Sequence, residues 1–334
     1  MPTTATTTAR ATTPRRKRSA KIARTDPAAA ELATQLAPGF PLTHLDKLLY
    51  PEQGLSKAHL ITYYAAVAPF MLPHVVGRPL TLLRCPDGSD GQCFYQKHID
   101  RAVPDAVKRV PILEAQGQRG TYGYIEDMSG LIALAQLGAL EVHVWNSRVA
   151  QLERPDQLVF DLDPAPGLPW TRVVQAALSL RERLSGLGLI SFVKTSGGKG
   201  LHVVAPIAPE LEWEQLRALT RGLALQMAQD EPKRYVVDMR KSARTGKIFL
   251  DYLRNTRGAS AVAPYSTRAN ARASIATPVH WDELQAGVKP ETFDLRGVVR
   301  RLERPTRDPW AGFHTLSQRI APRAVRSLVE LAAH

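Results

Sequence analysis

Residues 158–167 read LVFDLDPAPG, an apolar run broken by two carboxylates one residue apart. On a strand, side chains alternate between faces, so Asp161 and Asp163 project together while Phe160 and Leu162 point the other way. Pro164 and Pro166 end the strand just beyond the carboxylates. Two anions on one face repel each other and lose solvation, a cost commonly offset by bound divalent cations. Taken alone, the pair fits two descriptions: surface carboxylates closing a strand, or the acidic half of a metal site. The neighbouring sequence has to choose between them.

Downstream, residues 170–187 have Val173, Ala177, Leu180, Leu184 and Leu187 at spacings of four and three, which predicts an amphipathic helix. Residues 190–207, ISFVKTSGGKGLHVVAPI, read as two short apolar strands around a Ser-Gly-Gly-Lys-Gly turn. Glycines let a backbone approach an anion and expose its N–H groups, while Ser196, Lys199 and His202 add a hydroxyl, a charge and an imidazole. This is not a Walker A loop, which opens a helix; here a strand follows. A phosphate cradle and a plain hairpin turn both remain open. A helix is predicted over 211–228, and residues 241–255, KSARTGKIFLDYLRN, supply another strand. Asp251 there lies between Leu250 and Tyr252, an expensive place for a carboxylate unless it is paired or metal-bound. Arg254 follows three residues later.

Upstream, residues 121–145 predict a strand, a helix starting at Ser129, and the strand LEVHVW, in which His143 shares a face with Glu141 and Trp145. Residues 78–99, RPLTLLRCPDGSDGQCFYQKHI, predict a strand, a Gly/Asp-rich turn and a strand. Phe94 and Tyr95 face opposite ways there, beside Lys97 and His98. Residues 42–57 predict a Pro-Glu-Gln-Gly loop and a helix with Ser56 as N-cap. Lys47 and Lys57 flank that loop, and Lys57 falls in the first helical turn, where the helix dipole disfavours a cation unless an anion joins it. The tail from residue 293 is predicted to be helical with basic faces, with a turn at 308–310. No internal repeat is present.

Composition bounds the rest. The chain has 334 residues, 44% of them hydrophobic, enough for a large core. No apolar run approaches the roughly 20 residues needed to span a bilayer, so a soluble protein is expected, with no membrane partner. Lys plus Arg number 44 against 31 Asp plus Glu, and seven of the basic residues, with no acidic one, precede Asp26. Residues 1–38 are therefore expected to be a disordered basic arm, ahead of a folded region from 39 to 334 with its catalytic core at about 120–280. The charge favours nucleic acid as partner. Cys85 and Cys93 are too few for a disulfide framework or a four-cysteine zinc site, and are expected to be ordinary packing residues in a reducing compartment.

Jointly, three carboxylates on two strands, a glycine turn with Ser, Lys and His, and several arginines suit nucleotidyl transfer. In order and wording, LTHLDKLLYPEQGLSK, RCPDGSDGQCFYQKH, LEVHVW, VFDLDPAPG, VKTSGGKGLHV, KIFLDYLRN and AVAPYSTRA resemble the polymerase domain of bacterial DNA ligase D, of the archaeo-eukaryotic primase superfamily. They cover about residues 42–310. The resemblance implies a mixed α/β (α+β) primase-polymerase core with antiparallel sheets. It implies that Asp161, Asp163 and Asp251 ligate two metal ions, Mn2+ or Mg2+, and that Ser196, Lys199 and His202, with Arg244, Arg254 and Arg268, hold an NTP or dNTP. His143 would lie near the sugar, Arg84 would border the pocket, Lys47 and Lys57 would grip a DNA 5′-phosphate, and Phe94 and Tyr95 would support the template.

The same resemblance implies template-dependent addition of nucleotides, ribonucleotides preferred, at gaps and double-strand breaks in non-homologous end joining. A Ku-type end-binding protein is the implied partner, and the location a bacterial cytoplasm, at the nucleoid. With no K-x-D-G ligase motif, ligation is expected to fall to a separate DNA ligase. The alternatives are a de novo primase and a non-catalytic end-bridging module. Many relatives have a second basic residue where this chain has Asn270, which predicts weaker hold on the nucleotide.

Overall fold

The computed structural model describes residues 27–36, 39–100, 103–115, 117–304 and 308–333. In chain order these form α1 (Pro27–Gln35), β1 (Leu48–Tyr50), β2 (Leu55–Ser56), α2 (Lys57–Val75), β3 (Leu80–Arg84), β4 (Phe94–Gln96), β5 (Lys108–Leu113), β6 (Arg119–Tyr124), α3 (Met128–Gln136) and β7 (Ala139–Val144). The second half adds β8 (Gln157–Pro164), α4 (Trp170–Gly186), β9 (Phe192–Thr195), β10 (Leu201–Pro206), α5 (Trp213–Asp230), β11 (Tyr235–Val236), β12 (Ile248–Asp251), β13 (Ala261–Val262), β14 (Pro278–Val279), α6 (Trp281–Gln285), α7 (Leu295–Leu302) and α8 (Pro322–Ala333).

The larger sheet has the order β11-β12-β8-β10-β9-β14, antiparallel throughout except for β11 beside β12. Its central strand, β8, carries the DLD motif. Leu158, Phe160 and Leu162 are fully buried and join Val173, Ala177 and Leu180 of α4 and Leu216 and Leu223 of α5 in the main core. The opposite face holds Val159, Phe192 and Val204 against Trp310 and Phe313, and farther along it the two carboxylates emerge. The alternation of β8 thus separates core from chemistry. The second sheet, β13-β7-β3-β4, is also antiparallel and lies against α3, which packs on α2.

Buried amides lock the two sheets together. Asn255 accepts from the Val159 amide at 2.8 Å and donates to the Val159 carbonyl at 2.7 Å, so it completes the backbone bonding of β8 at that residue. Asn146, just after β7, donates to Asn255 Oδ1 at 3.2 Å and accepts from Gln157 at 3.1 Å.

Four local expectations change. Residues 27–35, inside the stretch read as a disordered arm, are a helix that packs on α2 with Ala33 buried. PAAAELATQ is rich in the strongest helix former, and that outweighs its small apolar content. Residues 1–26 of the arm lie outside the described residues. α3 starts at Met128 because Asp127, not Ser129, accepts from the Gly130 amide at 3.0 Å. Cys85 and Cys93 are not separate packing residues; they form a disulfide. Arg84 pairs with Phe94 across the β3–β4 hairpin, so the next residue out on each strand faces the other, with Cα atoms 4.3 Å apart. The fourth is Arg84, which bonds to the Leu137 carbonyl and to Gln96 beside the hairpin. Ser56 caps α2 as expected, and shares a capping box with His59. Among the described residues no helix is long and apolar enough to cross a membrane.

Candidate active site

Strand register builds the site. Asp251 of β12 lies opposite Asp161 of β8, Asp161 opposite His202 of β10, and His202 opposite Lys194 of β9. Paired residues in a sheet project to the same side, so four polar side chains from four strands form one row. Asp163 joins them two residues along β8. This face opens into a cavity of about 330 Å³ whose far wall comes from the second sheet through Tyr95 and His143. Ser196, Lys199, Arg254 and Arg268 complete the lining.

Cations already sit on the carboxylates. Arg254 places Nη2 3.3 Å from Asp161 Oδ2 and Nε 3.2 Å from Asp251 Oδ2. Arg244 donates to Asp163 Oδ2 at 3.1 Å, and its guanidinium lies 3.7 Å from the centre of the Phe249 ring. His202 Nε2 is 3.5 Å from Asp161 Oδ1. Burial would raise Asp161, but His202, Arg254 and Lys194 together hold it well below the usual carboxylate range. Asp163 and Asp251 move the other way, pushed up by burial and by the Asp161 charge. Carboxylates so close together with opposed shifts are a feature of functional sites, where burial and neighbouring charge act against each other.

The glycine turn forms one edge of the cavity. Ser196 Oγ accepts from the amides of Gly198 at 3.3 Å and Gly200 at 3.2 Å, which curls the turn around the hydroxyl. Gly197 has φ +69°, and a Cβ at Gly200 would collide with the carbonyl of Leu162. Only glycine therefore lets the turn press against the DLD strand. Arg268 donates to the Ser196 carbonyl at 2.6 Å. Asn270, at the position expected to be basic, donates to the Gly197 carbonyl at 3.4 Å and to Ser274 Oγ at 2.8 Å. Its amide braces the turn from outside.

Glu141 is the residue that sequence reasoning passed over. It is 4% exposed, its Oε2 lies 2.8 Å from His143 Nε2, and its Oε1 receives the Ala269 amide and lies 3.0 Å from Arg268 Nε. It thereby fixes two cavity-lining side chains at once. The alternation of LEVHVW put Glu141 and His143 on one face, and that was its signal. Burial would raise the Glu141 carboxyl, but the His143 hydrogen bond and the Arg268 charge outweigh burial and hold it at about 2. Its unfolded value is about 4.3. A depressed carboxylate stabilises the fold above the unfolded value, and that contribution is lost as pH falls toward the folded one. Glu141→Gln should therefore flatten the acid limb of the stability curve between about pH 4.5 and 2, measured by urea unfolding. An acid limb identical to that of the wild type would contradict this role.

Other expected residues fall into two groups away from the row. Lys47 and Lys57 come together: the Lys57 amide donates to the Lys47 carbonyl at 2.8 Å, and Lys57 Nζ donates to the Thr43 carbonyl at 3.0 Å. Burial and the Lys47 charge lower the Lys57 ammonium, so an anion there would relieve both. Tyr95 faces the cavity, its ring 5.9 Å from that of His143, whereas Phe94 points the other way and is 43% exposed. Arg84 does not line the cavity. It donates to the Leu137 carbonyl at 2.9 Å and Gln96 at 3.0 Å, with Phe94 5.6 Å away, and so anchors the hairpin that carries the aromatic pair. A larger cleft, about 900 Å³, opens elsewhere beside Arg148 and Arg154, but both guanidiniums there are bonded to protein oxygens.

The donor set fits a hard divalent cation: carboxylate oxygens only, two of the three residues raised by burial and by the Asp161 charge. Among the described residues, however, no three His, Cys, Asp or Glu side chains stand close enough together to hold an ion as placed, and Arg254 bridges Asp161 and Asp251.

The family model described as LigD, primase-polymerase domain, matches residues 56–310. The multifunctional non-homologous end joining protein LigD of Pseudomonas aeruginosa is 37% identical over 292 residues, covering 87% of this chain and 34% of that protein. Its namesake from Mycolicibacterium smegmatis is 37% identical over 266 residues, 78% of this chain and 34% of that protein. The chain thus spans about a third of the length of these relatives. Among solved structures, the polymerase domain of Mycobacterium tuberculosis ligase D in complex with DNA matches with a TM-score of 0.77 at 32% identity, covering 84% of this chain and 99% of that one.

Proposed function

This chain belongs to the LigD primase-polymerase domain family, and from that premise we propose that it is a template-dependent nucleotidyltransferase acting at gaps and broken DNA ends in non-homologous end joining. The observation that carries the reading is Asp161, Asp163 and His202 beside the Ser196–Gly200 turn, facing one cavity with Arg254 and Arg268, with Asp251 opposite Asp161 on the next strand. In the reaction a primer 3′-oxygen bonds to the α-phosphorus of a nucleoside triphosphate as the bond to pyrophosphate breaks. Asp161, Asp163 and Asp251 would hold two divalent ions, Mn2+ or Mg2+, which when bound supply Lewis-acid stabilisation of the developing charge.

The chain's own residues do the rest. Lys199 and Arg268, with the Ser196 hydroxyl that the turn encloses, offset the triphosphate charge and orient it. Arg244 and Arg254, now on carboxylates, are the cations released to the phosphates once the carboxylates are otherwise neutralised. His143 and Tyr95 bound the side where sugar and base would lie. Ribonucleotides are the proposed preference, the partners a Ku-type protein and a separate ligase. A non-catalytic end-bridging role is the second reading, favoured by Arg254 filling the space between Asp161 and Asp251.

Lys47 and Lys57 are proposed to grip the 5′-phosphate on the downstream side of a break. Lys57→Ala should weaken binding to a 5′-phosphorylated gap about tenfold and leave an unphosphorylated gap nearly unchanged. Fluorescence anisotropy with the two DNAs tests this, and equal losses on both would remove the pocket assignment. Nucleotide incorporation at such a gap tests the function itself.

A further inference from the structure

β9 buries all four of its residues, and one of them is a lysine. Lys194 is 2% exposed, and its Nζ has no hydrogen-bond partner among the described residues. His202, opposite it on β10, is 3% exposed, and its Nδ1 is likewise without one. Both side chains line a cavity of about 10 Å³, walled by Val144, Val159, Val204 and Trp310 and, on its polar side, by His74 and Gln157. That is room for about one water molecule. A buried polar atom that has given up water is penalised until it finds a partner, and pairing these two removes both penalties.

The chemistry sets the direction of the bond. An ammonium has three N–H groups and no lone pair, whereas a neutral imidazole has one accepting nitrogen. We propose that Lys194 is a positioning residue for His202: it donates to His202 Nδ1, directly or through one water in the shared cavity, and so keeps the ring proton on Nε2. Nε2 is the atom turned toward Asp161 and the nucleotide cavity. Asp161, at 3.5 Å, is too distant to fix the ring by itself. What Nε2 then does, donating to a phosphate of the incoming nucleotide, rests on the function proposed above; the Lys194–His202 coupling does not.

The test is 15N NMR of the histidine-labelled full chain without metal or nucleotide, with His202 assigned from the signals missing in His202→Gln. Burial and the Arg268 charge push Lys194 down to about 7, so spectra are taken at about pH 6, where the ammonium prevails. The wild type should show a protonated Nε2 and a hydrogen-bonded, unprotonated Nδ1. In Lys194→Met, Nδ1 should move downfield toward the position of a free imine nitrogen, and affinity for a nucleoside triphosphate, measured by calorimetry, should fall about tenfold.

An Nδ1 signal unmoved by the substitution would overturn the proposal. So would a wild-type ring protonated on Nδ1, which decides the matter even if Lys194→Met does not fold. A shifted Nδ1 with unchanged nucleotide affinity would uphold the coupling and tell against the phosphate role of His202.

Discussion

Asp161→Asn is expected to abolish primer extension, a loss of about a thousandfold or more, while gap binding changes little. Asp161 is the junction of the row: it faces Asp251 on one side and His202 on the other, and Arg254 is 3.3 Å away. Replacing one oxygen by an NH2 group keeps the shape and removes the charge. Arg254 would then swing wholly toward Asp251, and the site would lose the carboxylate that its surroundings hold most firmly ionised. DNA binding is assigned to Lys47, Lys57 and the aromatic hairpin, none of which touches Asp161. Extension assays beside anisotropy on the same gapped DNA check both halves, and substantial extension by the variant would take Asp161 out of the mechanism.

Arg78→Ala is expected to be strongly destabilising, by about 3–5 kcal/mol. Arg78 is 1% exposed and donates to both carboxylate oxygens of Asp156, at 2.7 and 2.8 Å, and to the Trp145 carbonyl at 3.3 Å. It stands just before β3 of the smaller sheet, and Asp156 just before β8 of the larger. The Asp156 amide in turn donates to the Asn146 carbonyl at 2.9 Å, and its carbonyl accepts from Ile207 at 2.9 Å. Removing the guanidinium leaves a half-buried carboxylate with only Arg148, 3.2 Å away, as counter-charge. The thermal midpoint should fall by on the order of 5–10 °C, and activity should fall with it because the two walls of the cavity are joined there. A midpoint within a degree or two of the wild type would show that the asparagine network alone joins the sheets.

Much of this was legible in the chain because the relevant signals are local. The two-residue period of 158–164 placed Asp161 and Asp163 on one face, and the helix expected over 170–187 is α4, Trp170–Gly186. The SGGKG turn and the carboxylate at 251 were found by chemistry that is unusual for an apolar strand. What escaped depends on register between strands far apart in sequence. Nothing near Asp161 in the sequence says that it lies opposite His202 on one side and Asp251 on the other. Arg84 resembled a pocket residue because its motif matched, yet the bulge between Leu83 and Arg84 turns it to the Leu137 carbonyl. The Cys85–Cys93 bridge followed from a hairpin that was itself foreseen; the compartment argument displaced the geometric one.

The most direct test of nucleotidyl transfer is single-nucleotide filling of a 5′-phosphorylated gap, with manganese or magnesium and with ribo- or deoxyribonucleoside triphosphates, beside the Asp161→Ala/Asp163→Ala double variant. Extension by the wild type and not by the variant is the predicted result, with ribonucleotides the better substrates; tight gap binding without extension under any of these conditions would contradict the polymerase reading and leave the end-bridging one.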